Sequence, residues 1–522
     1  MYYPELYNEI FREAFSFIYK GEYMKAVYKI ELIENLEDLS PFIRLEATLL
    51  KGKIYNDLEQ QSLSKNALEE LWNHFTEMKY QYHQIEIYFI LLQIYIQNND
   101  KNNSNQTLDK AELVLKVLDS VPSAVQDTYQ SYFIFLVGLY HLKITKDMQQ
   151  ALYNFNDCLE SFTRNNNTLG IIQANYWIGL SYFRRKEHEI ASNFFLESLD
   201  KAINADNLYY IAKNHHYIGK IYSEQEKWKD SLENFENSLK ICRNLYIPPF
   251  LLTIFRDTID MLFQFNKWDT LEQYLAERLK HAIDNKMVTD TISSYYWFAY
   301  YYEYRGMIDK SLIKYQETLE YLNQNQYLDE IHRCSSHISY LNAKKHDKLD
   351  GGDWQKELSN SRKPWKIIII CNGNISRSPF SEFITKRWFE ENNSEILKDI
   401  TFESFGVLYQ NEEIHPLSKA QLLDEGFDEE KIDNHKPRYW KDYEDICEQA
   451  TIFVAVTGEQ RNLVNFYYPG KAFMLSYIAE EKFNSVIDPA VHRIEAKKLF
   501  EELKRLTILF SEKISNLSKG TL

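Results

Sequence analysis

A cysteine, Cys371, and an arginine, Arg377, stand six positions apart in the stretch WKIIIICNGNISRSPFSE (365–382). Between them lie Asn372, Gly373, Asn374, Ile375 and Ser376, a short polar run with no room for a helix or strand of its own. A thiolate is a strong nucleophile. A guanidinium can grip two oxygens of a tetrahedral anion at once. Together, at the two ends of one small loop, they suit covalent phosphoryl transfer. The spacing alone arises by chance, so the reading depends on the elements that hold the two residues.

Those elements are legible on both sides. Lys366 and four isoleucines (367–370) lead into the cysteine. A short β-branched run, apolar on both faces, reads as the central strand of a parallel sheet. After the arginine, SPFSEFITKRWFEE (378–391) reads as a helix, with Ser378 as its N-cap and Pro379 at its first position. The loop 371–377 is therefore expected at the carboxyl edge of a sheet, leading into a helix N-terminus. Amide groups converge in such a loop and the helix dipole adds positive potential, which makes an anion cradle and favours a thiolate at its first residue.

CNGNISRSP (371–379) resembles the phosphate loop of the low-molecular-weight protein tyrosine phosphatases, C-x-G-N-x-C-R-S-P. The resemblance spans about residues 364–518. ESFG (403–406) is similar to that family's second-strand S-A-G, HKPR (435–438) to its H-x-x-R, TIFVAVTGEQ (451–460) to its third strand and turn, and VIDPAVH (486–492) to its Asp-Pro loop. Matched position by position, the resemblance implies that Cys371 attacks phosphorus. Arg377 and the amides from Asn372 through Gly373, Asn374, Ile375 and Ser376 to Ser378 hold the equatorial oxygens, and the Ser378 hydroxyl supports the thiolate. It also implies that Asn374, Ser404 and His435 brace the loop. Asp488 protonates the leaving oxygen and then activates water. On spacing alone, Asp488-Pro489 also reads as a turn-initiating pair, and His435 as a surface histidine ahead of a proline turn. Neither a metal nor a cofactor is implied.

The departures carry information too. The family's second loop cysteine is Ser376 here, so the protective disulfide with the nucleophile is missing. Phe405 replaces a small residue, and Ala490 stands where the family has an aromatic wall for the substrate ring; Tyr409 is the candidate replacement wall. Ile375 stands where relatives acting on phosphoarginine carry threonine, which favours phosphotyrosine. Arsenate reductases on this fold use a further cysteine pair, whereas only Cys447 follows the nucleophile here.

Upstream, the chain repeats. YWIGLSYFRRKEHEIASNFFLESL (176–199) aligns with HYIGKIYSEQEKWKDSLENFENSL (216–239), so that Gly179, Tyr182, Ala191, Phe195 and Ser198 fall on Gly219, Tyr222, Ser231, Phe235 and Ser238. Ala299, Tyr302, Ser311, Tyr315 and Thr318 hold the same places two periods further on. Fixed periodicity of small and aromatic positions means stacked helical hairpins in a solenoid. The pattern resembles the tetratricopeptide repeat, lengthened from about 34 residues to 40, as in the repeat domains of the bacterial Rap- and PlcR-type peptide sensors. Asn175 and Asn214 lie near the inner faces, where an asparagine can bond a peptide backbone or simply face water.

The expected architecture is α plus α/β: an all-α helical-repeat domain over 1–343, a polar linker over 344–363 that contains Gly351-Gly352, and a domain over 364–522 with a four-stranded parallel sheet. Strands are expected near 365–370, 400–404, 451–456 and 471–475, and the last helix near 493–518. A net charge of −16 argues against nucleic acid as the main partner, since phosphate backbones need clustered Lys and Arg. No apolar run reaches the length needed to span a membrane. The N-terminal sequence has no apolar core of the secretory kind. Five scattered cysteines without a CxxC pair suit a reducing cytoplasm. The expectation is a cysteine-dependent phosphatase acting on a phosphorylated protein, with a peptide or protein ligand on the concave face of the repeats. The alternative is a repeat-based sensor whose phosphatase domain is weak or only senses phosphate.

Overall fold

The structure is a computed structural model and describes residues 5–35, 41–58, 63–68, 71, 81–117, 123–245, 247–346, 351–480 and 482–520. The chain forms two compact units, Met1–Met261 and Leu262–Leu522. Among the described residues no helix is long and apolar enough to cross a membrane.

The first unit is helical throughout its described residues. Five of its helices are α1 (Met148–Arg164), α2 (Thr168–Arg184), α3 (His188–Asn204), α4 (Leu208–Glu224) and α5 (Trp228–Leu245). Their first residues fall at 148, 168, 188, 208 and 228, so the 40-residue repeat is two helices of equal length. Each is preceded by a residue with positive φ, at Lys146, Asn166, Lys186, Asp206 and Glu226. After α1 the amide of Asn167 reaches back to Phe162 O, and after α2 that of Glu187 reaches back to Tyr182 O. These left-handed C-terminal turns close the helix and reverse the chain. The small positions that recur along the repeat are close contacts: a Cβ on Gly219 would sit 2.8 Å from the Phe235 ring. Ser198 donates to Ile172 O and, 40 residues on, Ser238 donates to Ala212 O.

Asn175 and Asn214 are fully buried, so neither faces water or a ligand. Asn214 donates to Ser198 Oγ and Tyr210 O inside the hairpin stack. The same periodicity that placed Asn214 on an inner helix turns it toward Ser198 of the neighbouring helix.

The second unit has helices at the same 20-residue spacing in sequence: α6 (Trp268–Asp284), α7 (Val288–Tyr304), α8 (Ile308–Asn325) and α9 (Leu328–Lys345). It then forms a sheet of β1 (Trp365–Cys371), β2 (Ile400–Gly406), β3 (Ile452–Ala455) and β4 (Ala472–Met474), all parallel, in the order β2-β1-β3-β4. Ile367 and Ile369 face one buried layer with Phe380, Phe389 and Phe510; Ile368 and Ile370 face the other with Phe405, Phe453 and Trp440. That two-sided burial is why β1 reads as an unbroken isoleucine run.

The segment expected to be a linker is only partly one. It contains a helix, α10 (Trp354–Asn360), capped by Asp353, and its Trp354 and Leu358 are buried in the core of the sheet. Two apolar residues four apart on a helix supply enough buried surface to fix it, and the surrounding polar composition masked them. Upstream of it, α9 packs on a helix of the sheet layer, α12 (Gly458–Tyr467; α11 is Arg377–Asn392). Arg333 Nε lies 2.7 Å from Glu459, Asn462 donates to Ser336 O, and Tyr340, 1 % exposed, lies against Gly458. The last hairpins and the sheet thus share one core, which includes Tyr340, Leu341 and Met474.

Candidate active site

Cys371 ends the central strand at the carboxyl edge of the sheet, and Arg377 opens α11. The helix starts earlier than the sequence suggests. Its N-cap is Ser376, whose side chain makes no cap bond, and Ser378 is committed elsewhere: its hydroxyl donates to Cys371 Sγ at 3.0 Å. The intervening loop is held by its carbonyls. Cys371 O accepts from Val407 N, Asn372 O from Leu408 N and Tyr409 N, and Ile375 O from His415 N. Gly373 O accepts from the Asn411 side chain and Ser376 O from the Ser418 hydroxyl. These bonds fix the course of the loop, the candidate anion nest.

A chain of hydrogen bonds braces this cup from below. Asn374, at φ +55°, donates through Nδ2 to Ser378 Oγ at 3.1 Å and to Ser404 Oγ at 2.7 Å, and Ser404 donates to Glu382. The Arg438 amide donates to Asn374 Oδ1 at 2.9 Å. Gly406 makes the close approach possible, since a Cβ there would lie 2.7 Å from the Gly373 carbonyl carbon. His435 stands apart from the network. Its ring packs on Phe383 at 5.9 Å and its buried Nε2 has no hydrogen-bond partner. Burial, against the opposing pull of Glu382, lowers the pKa of its imidazole. The bracing expected of His435 falls to Arg438, whose guanidinium also pairs with Glu403 at 2.6 Å and lies 4.4 Å from the centre of the Phe405 ring. That contact accounts for the large residue at 405.

Above the cup, Arg377 donates to Val486 O at 2.8 Å and pairs with Asp488 at 2.9 Å. Asp488 is held in a tight turn, its Oδ1 accepting from Ala490 N at 3.0 Å. The structure therefore brings Cys371, Arg377, Ser378 and Asp488 together. Arg377 and Asp488 line a cavity of about 1000 Å³. Ile375, Tyr409 and Ala490 line it, with Tyr409 half exposed. Its other wall was not visible in the motif sequence. Tyr296, Trp297, Tyr300 and Tyr304 come from α7. Tyr300 lies near enough to Arg377 and Asp488 to feel both charges; burial, with Asp488, pushes its phenol up against the opposing pull of Arg377. Four aromatic side chains of one helix thus line the cavity that Ala490 also lines. The signal in the sequence was the run YYWFAYYYEY (295–304), which the repeat pattern accounts for only in part. Gln460 was also missed; its Nε2 donates to Asn372 Oδ1 at 2.7 Å and ties α12 to the cup.

All five cysteines are buried and free of disulfides, and burial pushes the Cys447 thiol up to about 12.

No family model matches the chain, and no curated protein does. Among solved structures, the chain is similar to a YwlE mutant from Bacillus subtilis at 22 % identity, covering 29 % of this chain and 99 % of that one, with a TM-score of 0.25. It is similar to a low molecular weight protein tyrosine phosphatase from Bacillus subtilis at 23 % identity, covering 29 % and 97 %, with a TM-score of 0.25. A Rap protein complexed with Competence and Sporulation Factor aligns at 13 % identity over 66 % of this chain and 99 % of that one, with a TM-score of 0.42.

Proposed function

We infer that this chain is a cysteine-dependent phosphatase acting on aryl phosphates, phosphotyrosine in a protein above all, and working in a reducing cytoplasm. The observation that carries the reading is the Ser378 hydroxyl donating to Cys371 Sγ beneath an arginine paired with a carboxylate. A hydroxyl aimed at sulfur stabilises a thiolate, and the paired arginine and acid stand where a phosphate and its leaving group require them.

The reaction follows from the geometry. The substrate phosphate enters the cup and replaces Asp488 as the partner of Arg377, and the released Asp488 carboxylate takes up a proton from solvent. Cys371 Sγ attacks phosphorus, the P–O bond to the aryl group breaks, and Asp488 gives its proton to the departing oxygen. Asp488, now a carboxylate, takes a proton from water. That water attacks the phosphocysteine, the S–P bond breaks, and phosphate leaves with the thiolate restored. The tyrosines and Trp297 of α7 support an aromatic substrate. In the first unit, a cavity of about 380 Å³ is lined by Asp57, Gln93, Tyr132, Gln173, Tyr210 and Lys213, among others, and suits a peptide partner with both polar and aromatic groups.

The test is hydrolysis of p-nitrophenyl phosphate by the wild type, Cys371→Ser and Arg377→Ala. Turnover in the wild type, its loss in both variants with the fold retained, and trapping of a labelled phosphocysteine support the reading. Full activity in Cys371→Ser overturns it.

A further inference from the structure

Asp488 lies in a segment that is neither helix nor strand from 482 to 488. On the side before Asp488, the segment is fixed to the sheet layer: Val486 N donates to Val456 O, and Arg377 donates to Val486 O. On the side after it, the fixings come from the repeats. Gln264, the last residue of the helix Pro248–Gln264, meets the backbone twice. Its Nε2 donates to Val491 O, and its Oε1 accepts from Arg493 N at 2.7 Å. The residue between, His492, is 5 % exposed. Its ring centre lies 4.8 Å from that of Phe263 and it stacks on Tyr304 at 4.9 Å, while its Nε2 lies 3.3 Å from the Tyr300 hydroxyl. The amides of Val491 and His492 both donate to Asp488 O at 3.0 Å. A direct line of hydrogen bonds therefore runs from the Gln264 carboxamide, through one turn, to the acid.

We propose that Gln264 is a positioning residue for proton transfer by Asp488, so that the helical repeats form part of the catalytic centre. The proposal rests on the reading of Asp488 as the acid. The physical reason is the tolerance of proton transfer. An acid must lie within hydrogen-bond reach of the leaving oxygen, and a displacement of about 1 Å costs on the order of a hundredfold. A primary amide presents one donor and one acceptor, as a peptide group does, so it holds an irregular strand as a neighbouring strand would. Gln264 touches neither the cup nor the nucleophile. Its loss should therefore leave phosphate binding intact and act only on the step that needs the proton.

The experiment uses the full chain and two substrates, p-nitrophenyl phosphate with a good leaving group and phenyl phosphate with a poor one. The variants are Gln264→Met, which keeps volume and removes both hydrogen bonds, Gln264→Ala, Asp488→Asn, and the double variant Gln264→Met with Asp488→Asn. The expected result for Gln264→Met is a fall in kcat/KM for phenyl phosphate of about tenfold or more. Its kcat/KM for p-nitrophenyl phosphate and its inhibition by vanadate should change by less than about twofold, because kcat/KM ends at formation of the phosphocysteine, before Asp488 acts on water. In the Asp488→Asn background the same substitution should cost nothing further, because the two act as one unit. Equal losses on both substrates, or none on either, with Asp488→Asn still leaving-group selective, overturn the role of Gln264 alone. Absence of turnover in the wild type overturns the phosphatase reading and this proposal with it. Should Gln264→Ala not fold, Gln264→Met carries the test.

Discussion

The carboxylate of Asp488 sits 2.9 Å from the Arg377 guanidinium, on the side of the cup where a bound phosphate would place its oxygens. On the proposed mechanism, the Asp488 carboxylate pairs with Arg377 where the substrate's charge would. Asp488→Asn removes that competitor as well as the proton donor. Turnover of phenyl phosphate is expected to fall by roughly 10²–10⁴, the scale of one acid–base residue, while vanadate inhibits at lower concentration than in the wild type. Initial rates and vanadate titrations read both effects. Weaker vanadate binding in the variant would show that the pair organises the arginine for phosphate.

Ser378 holds the nucleophile through a single hydroxyl. A hydrogen bond to a charged group contributes about 1.5–3 kcal/mol. Ser378→Ala is therefore expected to lower kcat/KM for p-nitrophenyl phosphate by roughly 10- to 100-fold, with the unfolding temperature little changed. An unaltered kcat/KM would mean that the loop amides alone stabilise the thiolate.

Trp297 lines the cleft from α7, its ring 6.1 Å from that of Tyr300. An aromatic contact is worth about 0.5–1.5 kcal/mol beyond buried area. Trp297→Ala should raise KM for aryl phosphates by about threefold or more and leave inhibition by inorganic phosphate unchanged. Ala490→Tyr, placed in the same cavity, is expected to crowd this wall and raise KM as well. Steady-state kinetics on both variants decide whether the repeat helix recognises the ring.

His337 and Glu303 pair at 2.8 Å among buried neighbours that include Arg333 and Glu459. Burial lowers the imidazole, but Glu303 and Glu459 outweigh it, and the pKa is raised above the ordinary value. The sign follows from linkage: stability from the charged pair is fully present below about pH 6.5 and is lost as pH rises through the raised value. Thermal unfolding from pH 6 to pH 9 should show this decline, and Glu303→Gln should flatten it. An unchanged slope in the variant would place the pH dependence elsewhere.

Tyr340 fills the space in front of Gly458, where a Cβ would lie 2.1 Å from its ring. Gly458→Ala overpacks that contact and should cost about 1–3 kcal/mol. A fragment of residues 360–522 removes Tyr340 altogether and uncovers Met474, Tyr477 and Phe483. It is expected to bind a hydrophobic dye and to unfold at lower temperature than a fragment of 262–522. Equal stability of the two fragments would show that the sheet layer needs no cover from the helices.

Much of this was legible before any coordinates. Ile367 to Ile370, Gly373 and Arg377 are read from local rules, because a buried central strand and a loop that cradles an anion impose narrow composition. The positions of the later strands rest instead on the resemblance of ESFG and TIFVAVTGEQ to the phosphatase family's strands. What escaped depends on contacts between distant residues. Gln264 and Val491 are 227 positions apart, and nothing in either neighbourhood announces the other. Trp354 and Leu358 were lost inside a polar segment, and His435 kept its place in a motif while Arg438 took its bonds. Asn175 and Asn214 show the limit of periodicity, which gives a helix face but not which neighbour covers it.

The 20-residue spacing of the left-handed turns has an evolutionary consequence. In the helical ladder every rung reverses the chain, so a gain or loss of one rung inverts the polarity of all that follow, while a gain or loss of two restores it. Length variants of such a chain should therefore differ by 40 residues, as copied hairpins do. A single residue inserted within a rung would turn the remainder of that helix by about 100° and expose the face that carries its aromatic knobs. The ruler that sets hairpin length is thus also a filter on which ancestral duplications could have survived.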